Sequence, residues 1–242
     1  MRTISVVLAA ALLSGCTMRI GEDTFIRPDP AFKGVPQARF DIAPLLQGAT
    51  VTEQTVVTPD GAVLRGVLMR RPGVDRAVLY FGGNAFYLDR HGLAVLPLLA
   101  ACGTNVAIFD YRGYGRSSGK PSVATMKADA LRLFDHVSAL HPGGVTVHGQ
   151  SLGSFMAAYV AQQRPAARAL VLEATGTNVQ EWADVIVPWY VKLFVRVEVD
   201  DALREVDNVA ALAHYRGPSL VLSGENDRQT PPSLGRKVYE AI

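Results

Sequence analysis

The chain of 242 residues predicts one α/β domain built on a mostly parallel, doubly wound sheet. Three observations predict it. Short apolar runs alternate with helical patterns from Ala77 onward. Most of these runs are continuously apolar, as in strands covered on both faces. The composition, 49% hydrophobic and 19% charged, suits a packed core and excludes a disordered chain.

The elements follow in order. Residues 54–57 and 63–69, joined by Pro59-Asp60-Gly61, predict a hairpin, because Asp-Gly between β-rich runs favours a tight turn. Residues 77–81 and 105–109 predict strands, with a helix over 88–101 between them. The amphipathic pattern over 122–140 predicts a helix with Ser122 as N-cap. A strand over 145–148 leads into a helix over 152–163, and strands follow at 169–172 and 219–223. Residues 232–241 begin a helix. The segment 178–207 breaks the rhythm and is too apolar for a plain connection, with Trp182, Trp189, Tyr190 and Phe194 among its residues. It reads either as a short helical lid over the site or as a packed insertion without substrate contact. Ligands in such sheets bind at the carboxyl ends of the strands, and the motifs fall there.

The N-terminus is a separate element. Arg2, an apolar run over 4–13 and then Leu13-Ser14-Gly15-Cys16 describe a secretory signal over 1–15. The run is shorter than the roughly 20 residues that span a bilayer. Its ending resembles the lipobox of bacterial lipoproteins, whose cysteine is acylated and becomes the new N-terminus. The resemblance implies lipidation at Cys16, attachment to a membrane surface and a place in the bacterial cell envelope, on the periplasmic side or at the outer membrane. An ordinary cleaved signal and an apolar anchor are the alternatives. Residues 16–48, rich in Pro, Gly and charge, read as the lipidated end and linker, and 49–242 as the domain. Cys102 is the other cysteine; it has no disulfide partner if Cys16 is lipidated, and is expected to be a small buried hydrophobe. A net charge of +2 without a basic run argues against nucleic-acid binding.

The chemistry centres on Gly149-Gln150-Ser151-Leu152-Gly153, set between a strand and a helix. In that setting G-x-S-x-G forms a nucleophile elbow, which puts Ser151 on a sharp turn and aims the Leu152 N–H at the substrate oxygen. A second oxyanion donor is expected from Gly82-Gly83-Asn84-Ala85, after the 77–81 strand; the Asn84 N–H is the candidate, with Ala85 as its neighbour. The acid is expected at Asp227, after the 219–223 strand, with Glu173 at the end of the 169–172 strand as competitor.

With these residues the chain resembles the α/β-hydrolases of the serine aminopeptidase and Bem46-like acyl-hydrolase branch. The matching stretches are 81–85, 109–119, 149–153 and 224–227, and the resemblance covers about 50–242. It implies an α/β-hydrolase fold and hydrolysis of a small-molecule or lipid acyl ester or thioester, of esterase, lysophospholipase or thioesterase type, without cofactor or metal. Two departures matter. Gly82 stands where the family usually has the histidine of His-Gly-Asn-Ala. The catalytic histidine is expected after the last strand, yet residues 228–242 contain none. The five histidines are 91, 136, 141, 148 and 214. His148 lies inside the strand before the elbow, His136 and His141 are expected to face solvent, His214 is at the wrong end of the sheet, and His91 is the remaining substitute. The family pattern therefore implies that the last strand and helix are missing and that this is part of a longer hydrolase. The alternatives are a non-catalytic binding module of the same fold, and an aminopeptidase using Glu173, Glu181 or Asp184 to hold a free amine.

Overall fold

The computed structural model describes residues 16–29 and 48–242. The signal-like segment and residues 30–47 of the expected linker lie outside the described residues.

A seven-stranded sheet organises the domain, in the order β2-β3-β5-β4-β6-β7-β9. Strands β2 (Thr50–Val57) and β3 (Val63–Arg70) form the expected hairpin, and β3 runs antiparallel to β5 (Asn105–Phe109). The other pairings are parallel and join β4 (Ala77–Phe81), β5, β6 (Val145–Gln150), β7 (Ala169–Glu173) and β9 (Ser219–Leu222). This is the α/β-hydrolase architecture the sequence predicts.

Two cores lie on opposite faces, as the period-2 alternation of strands requires. Helix α2 (Leu88–Ala100) packs Leu88, Leu96 and Leu99 with Tyr80, Val106 and Ile108. Helices α3 (Val123–Leu140) and α4 (Leu152–Gln163) pack Met126, Leu133, Phe134 and Met156 with Leu79, Ala107, Val147 and Leu170. Ser122 caps α3 as expected: its hydroxyl accepts from the Thr125 N–H at 3.2 Å, and its own N–H donates to the Thr125 hydroxyl at 2.9 Å. At the far edge, β9 leaves Leu220 and Leu222 exposed.

The insertion contains α5 (Val179–Ile186), α6 (Trp189–Lys192), β8 (Val195–Val199) and α7 (Asp201–Arg204). The chain then re-enters the domain through α8 (Asn208–Leu212), and α9 (Pro232–Glu240) follows β9. Val179, Ala183, Val199 and Leu203 bury into the core beneath the insertion.

Three expectations need correction. The first part of the supposed linker is ordered structure: β1 (Cys16–Ile20) pairs in parallel with β8, from Cys16 opposite Val195 to Ile20 opposite Val199, and α1 (Glu22–Phe25) follows. Burial of Ile20 and Ile26 stabilises it. Cys102 is exposed, because it sits in the turn after α2 where the chain has left the sheet. His141 is buried, with Nδ1 on the Val137 carbonyl at 2.9 Å, and His136 is half-buried against the Phe109 ring. Both face the domain because the last turns of α3 still pack on the sheet.

Candidate active site

Ser151 occupies the turn between β6 and α4 with φ 51° and ψ −115°, a backbone conformation that costs a non-glycine residue of order 1–3 kcal/mol. The surrounding structure holds it there. Its N–H donates to the Glu173 carbonyl at 2.8 Å, and its carbonyl accepts from the Ser154 N–H at 2.9 Å. The flanking glycines are steric requirements. A Cβ on Gly149 would lie 2.2 Å from the Gly153 oxygen, and one on Gly153 would lie 2.0 Å from the Phe81 oxygen. Strand and helix can approach this closely only without side chains. Leu152 opens α4, so its N–H has no intrahelical partner and sits at the positive end of the helix dipole.

The 82–85 loop lies over the serine: a Cβ on Gly83 would be 3.6 Å from the Ser151 Cβ, an ordinary contact. Its position is fixed from three sides. The Tyr111 hydroxyl donates to the Gly82 carbonyl at 2.7 Å, and the Tyr114 hydroxyl donates to Asn84 Oδ1 at 2.6 Å. Asn84 Nδ2 donates to the Phe25 carbonyl at 2.7 Å, and Oδ1 also accepts from the Arg27 N–H at 3.1 Å. The side chain of Asn84 is thus committed to structure, while its backbone N–H makes no hydrogen bond to a described residue. That leaves the N–H available to a ligand.

The 109–119 stretch, the most specific of the sequence matches, acts as scaffold. Besides its two tyrosines, Asp110 accepts from the Leu88 N–H at 2.8 Å and the Arg116 N–H at 2.9 Å, tying α2 to the loop. Burial raises the Asp110 carboxyl above its ordinary range. Arg112 forks onto buried Asp129 at 2.8 and 2.7 Å and also reaches Asp60 of the hairpin turn. None of these carboxylates lines the cavities at Ser151.

Asp227 follows β9, and one oxygen, Oδ1, accepts from the Gln229 and Thr230 N–H groups at 2.8 and 2.9 Å. Oδ2 has no partner among the described residues. Asp227 and Ser151 line the same cleft of about 1050 Å³, together with Gly83, Asn84, Gln150 and His91. A second cavity, about 150 Å³, also opens on Ser151 and Asn84; its apolar wall is Phe25, Leu152, Phe155 and Trp182. Phe25 stands edge-on to Trp182, with centroids 5.6 Å apart. The insertion packs into the core, and through Trp182 it also forms part of the wall of this cavity.

Among the described residues no histidine is hydrogen-bonded to Ser151 or Asp227. His91 shares the larger cleft, but its Nδ1 contacts the Tyr87 backbone, and burial lowers its pKa. Glu173, the alternative acid, lines neither cavity. Its carboxylate bridges Gln150 Nε2 at 2.8 Å and His148 Nε2 at 3.1 Å, and Tyr80 donates to Gln150 Oε1 at 2.9 Å. This chain of bonds fastens β6 to β7 at the elbow.

The His148 hydrogen bond, with help from Gln150, holds Glu173 below its ordinary pKa of 4.5. Its stabilisation is therefore full above that ordinary value and is lost as pH falls through the lowered one. Glu173→Gln is expected to cost about 1 kcal/mol at pH 7, a charged hydrogen bond discounted for solvent at a half-exposed group. It is also expected to shrink the loss of stability between pH 7 and pH 3. Urea unfolding of both proteins at both pH values checks this.

The fold and the elbow define an α/β-hydrolase. Residues 74–208 match the family model described as serine aminopeptidase, S33, and the chain belongs to that family. It is 31% identical over 185 residues to the bem46 protein of Schizosaccharomyces pombe, covering 72% of this chain and 60% of that protein. It is 32% identical over 175 residues to the lysophosphatidylserine lipase ABHD12 of Mus musculus, covering 67% and 44%. An uncharacterised protein of Mycobacterium tuberculosis is 34% identical over 192 residues, covering 77% and 65%. The chain thus spans less than two thirds of the length of these relatives. Among solved structures, the Pyrococcus furiosus esterase Pf2001 superposes with a TM-score of 0.68 at 17% identity, over 90% of this chain and 83% of that one.

Phe25, Arg27, Tyr111, Tyr114 and Thr230 also contribute to the site and were not singled out individually from the sequence. Only the two tyrosines carried a signal, as bulky aromatics in a glycine-rich loop.

Proposed function

We propose that the chain is the acyl-transfer domain of a serine hydrolase acting on an acyl ester or thioester of a lipid or small molecule. Ser151 attacks the acyl carbon, and the Leu152 and Asn84 N–H groups hold the oxyanion. Asp227 orients the base through its open Oδ2 and stabilises its cationic form. The observation that carries this reading is the strained Ser151 backbone, held between a pocket with an aromatic wall and a cleft that Asp227 also lines. Strain at such a residue persists only when neighbours over-determine it, and it clusters at reactive positions. The ester-cleaving names of the relatives support the substrate class.

The smaller pocket, about 150 Å³, would receive part of an acyl chain against its wall of Phe25, Leu152, Phe155 and Trp182. The aminopeptidase reading gains nothing from the site, since Glu173, Glu181 and Asp184 line neither cavity. We also propose that the chain works at a membrane surface in the bacterial cell envelope, attached through lipid on Cys16. Loss of labelled palmitate from Cys16→Ser, with retention in wild type, is the expected outcome; equal labelling of both would remove the proposal.

The catalytic proposal is tested by exposure to an activated p-nitrophenyl ester and intact-mass analysis. An acyl adduct on Ser151, absent from Ser151→Ala, is expected, because oxyanion stabilisation and binding alone still accelerate acyl transfer by ~10³–10⁴ over water. No adduct, or an adduct that survives Ser151→Ala, overturns it.

A further inference from the structure

The insertion carries a second apolar surface, outside the cavities that Ser151 lines. Trp189, Tyr190, Leu193 and Phe194 are 74%, 57%, 67% and 71% exposed, all within six consecutive residues. Val185 on α5 and Met18 on β1 are exposed beside the same elements. Other large exposed apolar side chains are dispersed over the hairpin, helices and sheet edge. Soluble surfaces tolerate scattered apolar residues, but a contiguous aromatic and aliphatic group marks a contact surface. None of the four lines the cavities at Ser151, so substrate binding does not account for them.

The pairing of β1 with β8 places the proposed membrane attachment beside this surface. Cys16 lies opposite Val195, next to Phe194. The apolar run 4–13 ends three residues before Cys16. Cys16, the lipid attachment point proposed above, therefore starts its strand beside the patch. The patch also has the composition of an interfacial element. Trp189 and Tyr190, in edge-on contact at 6.1 Å, combine an apolar body with a polar tip, and exposed Lys192 and Arg196 flank Leu193 and Phe194. Among the described residues no helix is long and apolar enough to cross a membrane, so contact here means lying on the surface.

We infer that the Trp189–Phe194 face is a membrane-docking surface, which inserts its aromatic and aliphatic side chains at the headgroup–acyl boundary of an anionic bilayer. The inference rests on the membrane attachment proposed above, and adds a second, independent contact to it. A lipid tether at Cys16 leaves the orientation of the domain free, and a second apolar contact beside it fixes that orientation. The same insertion then has Trp182 walling the pocket and Trp189 in the lipid, which brings the site to the surface where acyl-lipid substrates lie.

The test uses the full chain reconstituted into vesicles of phosphatidylglycerol and phosphatidylethanolamine. Flotation reports attachment. The emission of Trp189, read in Trp182→Phe and as the difference between wild type and Trp189→Phe, reports docking. Expected are flotation, a blue shift, quenching by lipids brominated on the upper acyl chain, and protection from aqueous iodide. Leu193→Ser/Phe194→Ser is expected to lose the quenching yet still float. Flotation with Trp189 open to iodide leaves the attachment standing and overturns the docking surface. Failure to float, with no bromolipid quenching, overturns both. Protection from iodide without bromolipid quenching, with cross-links between copies, assigns the face to self-association and also overturns the proposal.

Discussion

Gly153→Ala is expected to destabilise the protein by about 3 kcal/mol or more, the upper end of overpacking costs. The added methyl would lie 2.0 Å from the Phe81 oxygen and 2.7 Å from the Gly82 oxygen. Both are backbone atoms of the strand end and the 82–85 loop, so no flexible side chain can give way. Relief requires α4 to move away from β4, which also displaces Ser151 from the Asn84 N–H. At roughly 2–4 °C per kcal/mol for a domain of this size, the melting temperature should fall by about 10 °C. Gly83→Ala is the control. Its Cβ would make only ordinary contacts and its φ is not left-handed, so stability should change little. Equal melting temperatures for Gly153→Ala and wild type would contradict the elbow packing described here.

The second large effect concerns the base. Ser151 and Asp227 face one cleft, yet none of the five histidines is bonded to either. A positioned general base contributes ~10²–10⁴ to such a reaction. The 242-residue chain is therefore expected to acylate slowly on its own. Free imidazole, small enough to enter the cleft, should raise the acylation rate by roughly tenfold or more by acting as a diffusible base. Asp227→Ala should blunt that increase, because the open Oδ2 would no longer orient the ring.

The elbow was legible in the sequence because its determinants are local: two glycines at fixed spacing, a strand before and a helix after. The hairpin and the Ser122 cap were legible for the same reason. What escaped depends on contacts distant in sequence. Phe25, Ile26 and Arg27 show no periodicity, and β1 acquires its partner only when β8 folds beside it. Nothing local distinguishes such a segment from a linker. The Asp110 to Gly119 stretch was recognised by pattern, but its work is visible only in space, as hydroxyls of Tyr111 and Tyr114 that hold the 82–85 loop. The insertion was ambiguous because it is apolar on two faces, one turned inward at Trp182 and one outward at Trp189. His141 misled because a helix end suggests solvent, whereas this one still packs on the sheet.

Ser151 is proposed as the nucleophile of an acyl-transfer site whose base is none of the five histidines. The most direct measurement is the rate of Ser151 acylation by a p-nitrophenyl ester as imidazole is titrated, with Ser151→Ala as the blank. Followed as the acyl adduct by intact mass, and corrected for direct attack of imidazole on the ester, acylation is expected to rise with imidazole in wild type, with no adduct in the blank. Fast acylation without imidazole that is lost in His91→Ala would contradict it and make His91 the base.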